Sequence, residues 1–153
     1  MKQILLMIAV VALVGCGPDP STKEGSAKII ERNIRIMLKK PTGELTKSDY
    51  EKVTDVNFSL CKLISVKGLE KCTQLTRLVL IQNQLTDVTG LEKLTNLKTL
   101  NLGGNKLTDV KGLEKLTRLT ELDLQENPDL TRAQIDELQK ALPKCTIFSN
   151  PTK

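Results

Sequence analysis

The chain repeats itself every 22 residues, and this period constrains its fold more than any other feature. Leucines recur with that spacing at Leu75, Leu97 and Leu119, at Leu78, Leu100 and Leu122, and at Leu80, Leu102 and Leu124. One further step back reaches a divergent first copy at Val53, Val56 and Phe58. A unit this short cannot bury its apolar edge alone, so the copies must stack on one another to form a core.

Each copy also predicts a strand and a turn. The spacing LxxLxL places the last two leucines on the same side of a strand, with the residues between them facing outward. An asparagine follows at Asn83, Asn105 and Asn127, and Cys61 takes that place in the first copy. Backbone groups that leave a buried strand need partners, so these four positions are predicted to form a structural ladder between neighbouring copies.

The segments that return from one strand to the next, LTDVTGLEKLTN and LTDVKGLEKLTR, favour short 3₁₀ turns. Their apolar residues are three apart, as such a turn requires, at Val88, Leu91, Leu94, Val110, Leu113 and Leu116. Asp87 and Asp109 precede the turns and are predicted to accept backbone N–H groups, not to bind calcium. Gly90 and Gly112 allow the chain to reverse.

Helical caps are predicted at both ends of the stack. At the amino end, residues 26–39 form an amphipathic pattern that Pro41 stops. Its apolar residues are Ile30, Ile34, Met37 and Leu38, and its basic residues are Lys28, Arg32, Arg35, Lys39 and Lys40. Residues 42–52 predict a turn, a short extended piece around Leu45 and a helical turn that begins at Ser48.

At the carboxyl end, Thr131 and Gln134 have the spacing of a capping box. The helix that follows has Ile135, Leu138 and Leu142 on its apolar face and is closed by Pro143. Cys145 and Ile147 then alternate as in a last strand. Both ends of the core are therefore expected to be covered.

The copies with the pattern LTDVxGLExLTxL resemble the internalin-like leucine-rich repeats of bacteria. The flanking segments KPTGELTKSDYEKVTDV and NPDLTRAQIDELQKALPKC look like the caps of small repeat lipoproteins. The resemblance implies an α/β solenoid: a right-handed superhelix with a concave parallel β-sheet, short 3₁₀ turns on the convex side and helical caps at both ends. Internalins use the concave side to bind host surface proteins, but this chain lacks their long repeat arrays, so a role in host invasion is not implied.

The first residues have the pattern of an export signal. Residues 4–14 carry no charged or polar side chain, and this run is shorter than the roughly 20 residues of a membrane-spanning helix. It ends in LVGC, which resembles the lipobox of bacterial lipoproteins and implies that Cys16 is lipidated. The chain is therefore expected to be exported and lipid-anchored to the bacterial membrane, facing the periplasm or the exterior. The alternative is an ordinary cleaved signal with a chance cysteine.

The predicted domain organisation follows from these segments. It comprises a lipoprotein signal peptide at residues 1–15, a flexible tether at 16–26, an N-terminal helical cap at 27–52, four leucine-rich repeats at 53–130 starting at 53, 75, 97 and 119, and a C-terminal helical cap with a terminal strand at 131–153. The tether is assigned from its Pro, Gly and Ser residues and is expected to be disordered.

Composition argues against several classes of function. The chain has no His and no Trp, which removes the commonest general base and metal ligand. Its net charge of +5 is distributed without a long basic block, so nucleic-acid binding is not expected. No cofactor or metal site is predicted, and the chain is expected to be monomeric and non-catalytic.

The cysteines are predicted to be thiols, not disulfides. Once Cys16 is lipidated, Cys61, Cys72 and Cys145 remain, and each takes the place of a small buried residue. Cys61 and Cys72 lie at separate corners of one coil, beyond the roughly 7 Å between Cα atoms that a bridge tolerates. We expect three buried thiols.

The outward side chains of the strands form the predicted partner-binding face. The candidate residues are Leu60, Arg77, Val79, Ile81, Lys98, Asn101, Glu121 and Asp123. An apolar patch around Val79 and Ile81, beside charged residues, is typical of a docking site for an unidentified protein or a cell-surface glycan. The same two residues could instead be simple β-formers that pair across strands.

Two other functions stay open from the sequence. The basic residues of the N-terminal helix could contact anionic lipid or glycan, in which case the chain is an envelope structural protein. An enzyme would need the carboxylates of Glu121 and Asp123, but no pocket, glycine loop or nucleophile motif accompanies them.

Overall fold

A computed structural model describes residues 18–151, so the predicted signal peptide and Cys16 lie outside the described residues. The helices are α1 (Lys23–Met37), α2 (Lys47–Tyr50) and α3 (Arg132–Ala141). The strands are β1 (Asp55–Asn57), β2 (Arg77–Val79), β3 (Thr99–Asn101), β4 (Glu121–Asp123) and β5 (Thr146–Phe148). Three 3₁₀ turns, Leu69–Lys71, Leu91–Lys93 and Leu113–Lys115, alternate with the first four strands. Within the described residues no helix is both long and apolar enough to span a membrane.

The strands form one parallel sheet in the order β1-β2-β3-β4-β5. Leu78 pairs with Leu100, and Leu100 with Leu122, so the register advances by one 22-residue copy per strand. β5 continues the sheet beyond the repeats, with Ile147 beside Leu122. Consecutive parallel strands joined by 3₁₀ turns confirm the predicted leucine-rich-repeat solenoid and its α/β class.

The core is a column of aliphatic side chains. Each of the first four strands contributes a buried residue, as at Leu78, Leu100 and Leu122, and each 3₁₀ turn contributes another, as at Leu91 and Leu113. Burying a leucine side chain stabilises a protein by about 1.5–3 kcal/mol. Because identical residues recur at identical positions, each coil packs against the next with the same shapes.

Acidic side chains hold the return segments in place by accepting hydrogen bonds from backbone N–H groups. Gly90 and Gly112 have φ values of 106° and 98°, in the left-handed region that favours glycine. The Gly90 N–H donates to the carboxylate of Glu92 at 2.6 Å, and hydrogen bonds from the backbone lower the pKa of that carboxyl. Asp87 and Asp109 accept from backbone N–H groups two residues later, at 3.0 and 2.9 Å. The prediction that these two carboxylates accept backbone N–H groups is therefore confirmed.

The predicted tether at 16–26 is wrong in its second half. Helix α1 begins three residues earlier than expected, with the side chain of Thr22 as its N-cap. Ser26 is fully buried; its hydroxyl donates to the Pro20 carbonyl at 3.1 Å and accepts from the Ile64 N–H at 3.1 Å. The small polar residues that suggested a flexible linker instead allow this segment to pack closely against the first coil.

The second cap helix also begins earlier than predicted. Its N-cap is Thr46, not Ser48, and Thr46 forms a capping box with Asp49. Lys40 contacts the Asp49 carboxylate at 2.7 Å, and this ammonium group holds the pKa of Asp49 well below its usual range. The expected start at Ser48 missed this box because Asp49 takes the place where the usual capping box has Glu or Gln.

The C-terminal cap has the elements that its sequence indicates. Thr131 and Gln134 form a capping box, in which the Thr131 N–H donates to the Gln134 side chain at 2.8 Å. Ile135, Leu138 and Leu142 are buried and extend the core. Helix α3 packs against the third 3₁₀ turn and so closes the last coil from the return side.

Candidate functional site

An asparagine ladder holds the strand ends in place. The Asn105 side-chain amide donates to the carbonyl of Leu80 in the preceding coil at 3.0 Å and to that of Leu102 in its own coil at 2.9 Å. Its side-chain oxygen accepts from the Leu85 N–H at 3.2 Å. Asn83 and Asn127 make the same set of bonds one coil before and one coil after.

Cys61 was predicted to belong to this ladder, and it takes that position but makes only part of the bonding. Its thiol donates to the carbonyl of Ser59 at 3.5 Å, just as each asparagine donates to the carbonyl two residues before it. The asparagines' bonds to the preceding coil have no counterpart at Cys61 within the described residues. The residue is half-buried, so the expectation of three buried thiols holds only for Cys72 and Cys145. A thiol has one weak donor, and no repeat precedes the first coil to offer it a carbonyl.

The outward face of the sheet, which we call the open face, is organised in rows across the strands. One row contains Asp55, Arg77, Thr99, Glu121 and Thr146, and the next contains Asn57, Val79, Asn101, Asp123 and Phe148. Each row has one residue per strand, and strands are about 4.8 Å apart. A partner would therefore meet side chains at a regular spacing of about 4.8 Å.

The centre of the open face is polar and already hydrogen-bonded. The Asn101 amide donates to the carboxylate of Asp123 at 2.9 Å, and its oxygen accepts from the Gly103 N–H at 2.9 Å. Arg77 pairs with Asp55 at 3.2 Å. Of the residues predicted to bind a partner, Asn101 and Asp123 are thus in direct contact with each other.

Two charged candidates have no such partner across the sheet. The side chains of Lys98 and Glu121 are exposed, and neither forms an ion pair within residues 18–151. They lie on neighbouring strands, one residue apart in register, because Glu121 pairs with Thr99. Both remain available to contact a partner.

The apolar patch predicted around Val79 and Ile81 is not present as such. Val79 is only 4% exposed, between Asn57 and Asn101 in the register, so its side chain offers almost no surface. Ile81 is half-buried, whereas Leu60 is 66% exposed. The prediction that Val79 contacts a partner is therefore wrong. Its side chain is buried between its neighbours in the sheet and has a packing role.

Sequence reasoning missed Phe148, which is 45% exposed at the end of β5. It faces outward beside Asp123, at the far edge of the sheet from β1. Its signal was available, because the predicted alternation of Cys145 and Ile147 points the next residue outward. Leu60 and Phe148 thus lie near opposite edges of the open face, about 19 Å apart across four strand spacings.

Two shallow grooves lie on the return side of the coils. Their volumes are about 270 and 360 Å³, and acidic residues of consecutive return segments line them, among them Asp87, Glu92, Asp109 and Glu114. No group of three or more potential metal ligands occurs between residues 18 and 151. Glu121 and Asp123 line neither of the two grooves, so the structure places them on an open surface.

The stacked coils, the asparagine ladder and the parallel sheet together define a leucine-rich-repeat solenoid. The family of leucine-rich repeats (2 copies) matches residues 95–140, which cover the third and fourth repeats. No curated protein sequence matches the chain.

Three solved bacterial structures are similar to this chain in fold. Internalin C2 of Listeria monocytogenes is similar with a TM-score of 0.69 and 22% identity, over 93% of this chain and 64% of that one. The functional domain of InlJ from the same species, which includes a cysteine ladder, has a TM-score of 0.67 and 24% identity, over 88% and 28%. A leucine-rich-repeat protein of Leptospira interrogans has a TM-score of 0.58 and 26% identity, over 68% and 28%.

This chain therefore spans between 28% and 64% of the length of these structures. At such identities the likeness concerns the fold, which is internalin-like. The curvature of a stacked-repeat solenoid creates an extended concave surface.

Proposed function

We propose that the chain is a non-catalytic protein-binding module, anchored to the bacterial envelope, that docks a partner protein on its open face. The observation that carries the proposal is the pair of exposed apolar side chains, Leu60 and Phe148, on either side of a polar centre. Single exposed apolar side chains are common on monomers, so what supports the proposal is that these two lie near opposite edges of one regularly spaced face. Their separation of about 19 Å fits an interface of ordinary width.

The polar centre supports specificity. Asn101 and Asp123 are held by hydrogen bonds to each other and to the backbone, so they present fixed donors and acceptors. Fixed groups lose little conformational entropy when a partner binds. Because no Trp or Tyr lies on this face to anchor an interface, we expect modest affinity.

Anchoring through Cys16 is the second part of the proposal. The apolar run at 4–14 and the LVGC tetrad support it. Two or three acyl chains hold a protein stably on a membrane, at about 0.8 kcal/mol for each buried CH₂. The partner would then be a protein of the same envelope or one that reaches it.

Photo-crosslinking in intact envelopes tests the docking face. A photoreactive amino acid at Gln125, which is exposed on the open face, should give one discrete protein adduct. The matched control is the same amino acid at Lys93, which is exposed on the second 3₁₀ turn. An adduct from Lys93 and none from Gln125 would place the partner on the opposite side and refute the proposal; a glycan adduct would refute its protein nature.

A further inference from the structure

Helix α1 has an outer ridge made of Lys28, Arg32 and Ile36. These residues are four apart, so they lie one above another on one face of the helix. All three are exposed, and Ile36 is 58% exposed, which is unusual for a large apolar side chain in this structure. The opposite face of α1 is buried through Ile30 and Ile34. The outer ridge is thus basic, with one apolar residue at its end.

The basic charges of the outer ridge are unpaired, whereas the neighbouring acidic charges are paired. Glu31 binds Arg35 at 2.7 Å, and Glu24 lies 4.0 Å from Lys67. Neither Lys28 nor Arg32 takes part in an ion pair within the described part of the chain. The ridge therefore presents net positive charge to whatever lies against it.

The chain enters the domain on the same side of α1. A Cβ at Gly25 would overlap the carbonyl of Asp19, so the preceding segment crosses the helix directly over Gly25. Gly25 and Arg32 are seven residues apart, which is two helical turns, so they share one face. The entering chain and the outer ridge consequently lie side by side.

The proposed lipid anchor is close to this point. Asp19 follows Cys16 by three residue steps, which span at most about 11 Å. No long spacer can hold the domain away from a bilayer that contains the acyl chains of Cys16. The start of helix α1, near Gly25, must then lie close to the lipid headgroups.

We propose that the outer ridge of α1 rests on the surface of an anionic phospholipid bilayer. This inference rests on the lipidation of Cys16 in the proposed function. Lys28 and Arg32 attract the headgroups, each strengthening binding about fivefold, and Ile36 inserts at the boundary of the acyl region. The acyl chains and the ridge together hold the domain in one orientation, whereas the acyl chains alone would leave it free to rotate.

Tryptophan fluorescence tests the orientation, because the chain contains no Trp. Ile36→Trp places a single reporter on the ridge, and Leu60→Trp is a matched control at a site that is 66% exposed on the open face. The full acylated proteins are reconstituted in phosphatidylcholine vesicles that contain about one third phosphatidylglycerol and brominated lipid. We expect blue-shifted emission and strong quenching for Ile36→Trp, and neither change for Leu60→Trp.

A charge variant separates the ridge from the anchor. With Lys28→Glu and Arg32→Glu added, quenching of the Trp at position 36 should fall to the control level while the protein still floats with the vesicles. Quenching that is equal in pure phosphatidylcholine, or that is stronger for Leu60→Trp, would overturn the ridge orientation. A protein that does not float at all would overturn the anchor at Cys16 and the inference with it.

Discussion

The side chain of Asn105 donates to the backbone carbonyl of Leu80, 25 residues earlier, at 3.0 Å. This bond joins one coil to the next at the point where the chain leaves the sheet. Equivalent bonds run from Asn83 to Phe58 and from Asn127 to Leu102. The strand ends that carry the open face are therefore fixed by the ladder, and damage to the ladder should loosen that face.

Loss of one rung should cost much stability. Asn105→Ala leaves the Leu80 and Leu102 carbonyls and the Leu85 N–H without their partner in a buried site, and each such group costs about 1–3 kcal/mol. We expect a decrease of about 3 kcal/mol in the free energy of unfolding, measured by urea denaturation. Asn96→Ala is the control, because Asn96 bonds to Thr73 and is only half-buried. Equal losses in the two variants would show that the ladder has no special role.

A glycine substitution tests the close contact between coils. Gly104 has a φ of 67°, and a Cβ there would lie 3.1 Å from the Gln82 side chain. Gly43 has a φ of 77° but no atom closer than 3.9 Å to its would-be Cβ. Gly104→Ala should therefore destabilise the protein by about 1 kcal/mol more than Gly43→Ala. Alanine is strained by the positive φ at both positions, but only at position 104 does its Cβ also crowd a neighbouring side chain. Equal effects in thermal unfolding would remove crowding as the cause.

The buried thiol of Cys72 should make stability depend on alkaline pH. Burial raises the pKa of Cys72 from 9.0 to about 11. The neutral thiol is favoured in the folded state, so this contribution is fully present below pH 9.0 and is lost as pH rises through about 11. We expect a decrease of about 2 kcal/mol over this window, measured by urea denaturation under reducing conditions. Cys72→Val should remove that part of the pH dependence; an identical slope in the variant would contradict the assignment.

Thiol counting tests the anchor. The described cysteines Cys61, Cys72 and Cys145 are free. Urea-unfolded protein from the membrane fraction should therefore react with iodoacetamide at three thiols when Cys16 is lipidated. A fourth alkylated thiol, seen by intact mass, would show an unmodified Cys16. The Cys16→Ser protein serves as the reference, with three reactive thiols and no membrane attachment.

The 22-residue repeat made the fold predictable, whereas the structure of segments outside the repeats was harder to predict. The 22-residue spacing places Leu78, Leu100 and Leu122 in register because identical positions must stack. The tether at 16–26 and the start of α2 depend on local hydrogen bonds of Thr22 and Thr46, which have no periodic signal. Composition alone suggested a linker where the structure has a capped helix.

The candidate site was predictable as a face but not in its detail. Periodicity identified which side chains point outward, including Val79. It could not show that flanking residues cover Val79 while Leu60 stays exposed, because exposure depends on the sizes of neighbours across three strands. Phe148 was missed, although the alternation after Cys145 points it outward, because β5 lies outside the 22-residue repeats that identified the other outward residues.

The most direct test of docking on the open face is the yield of the Gln125 photo-crosslink in two charge variants. Leu60→Glu and Phe148→Glu should each lower the yield about tenfold, because a buried carboxylate at an apolar contact costs more than 1.4 kcal/mol. Thr86→Glu, at an exposed position on a return segment, should leave the yield unchanged. An unchanged yield in both Leu60→Glu and Phe148→Glu would contradict the account.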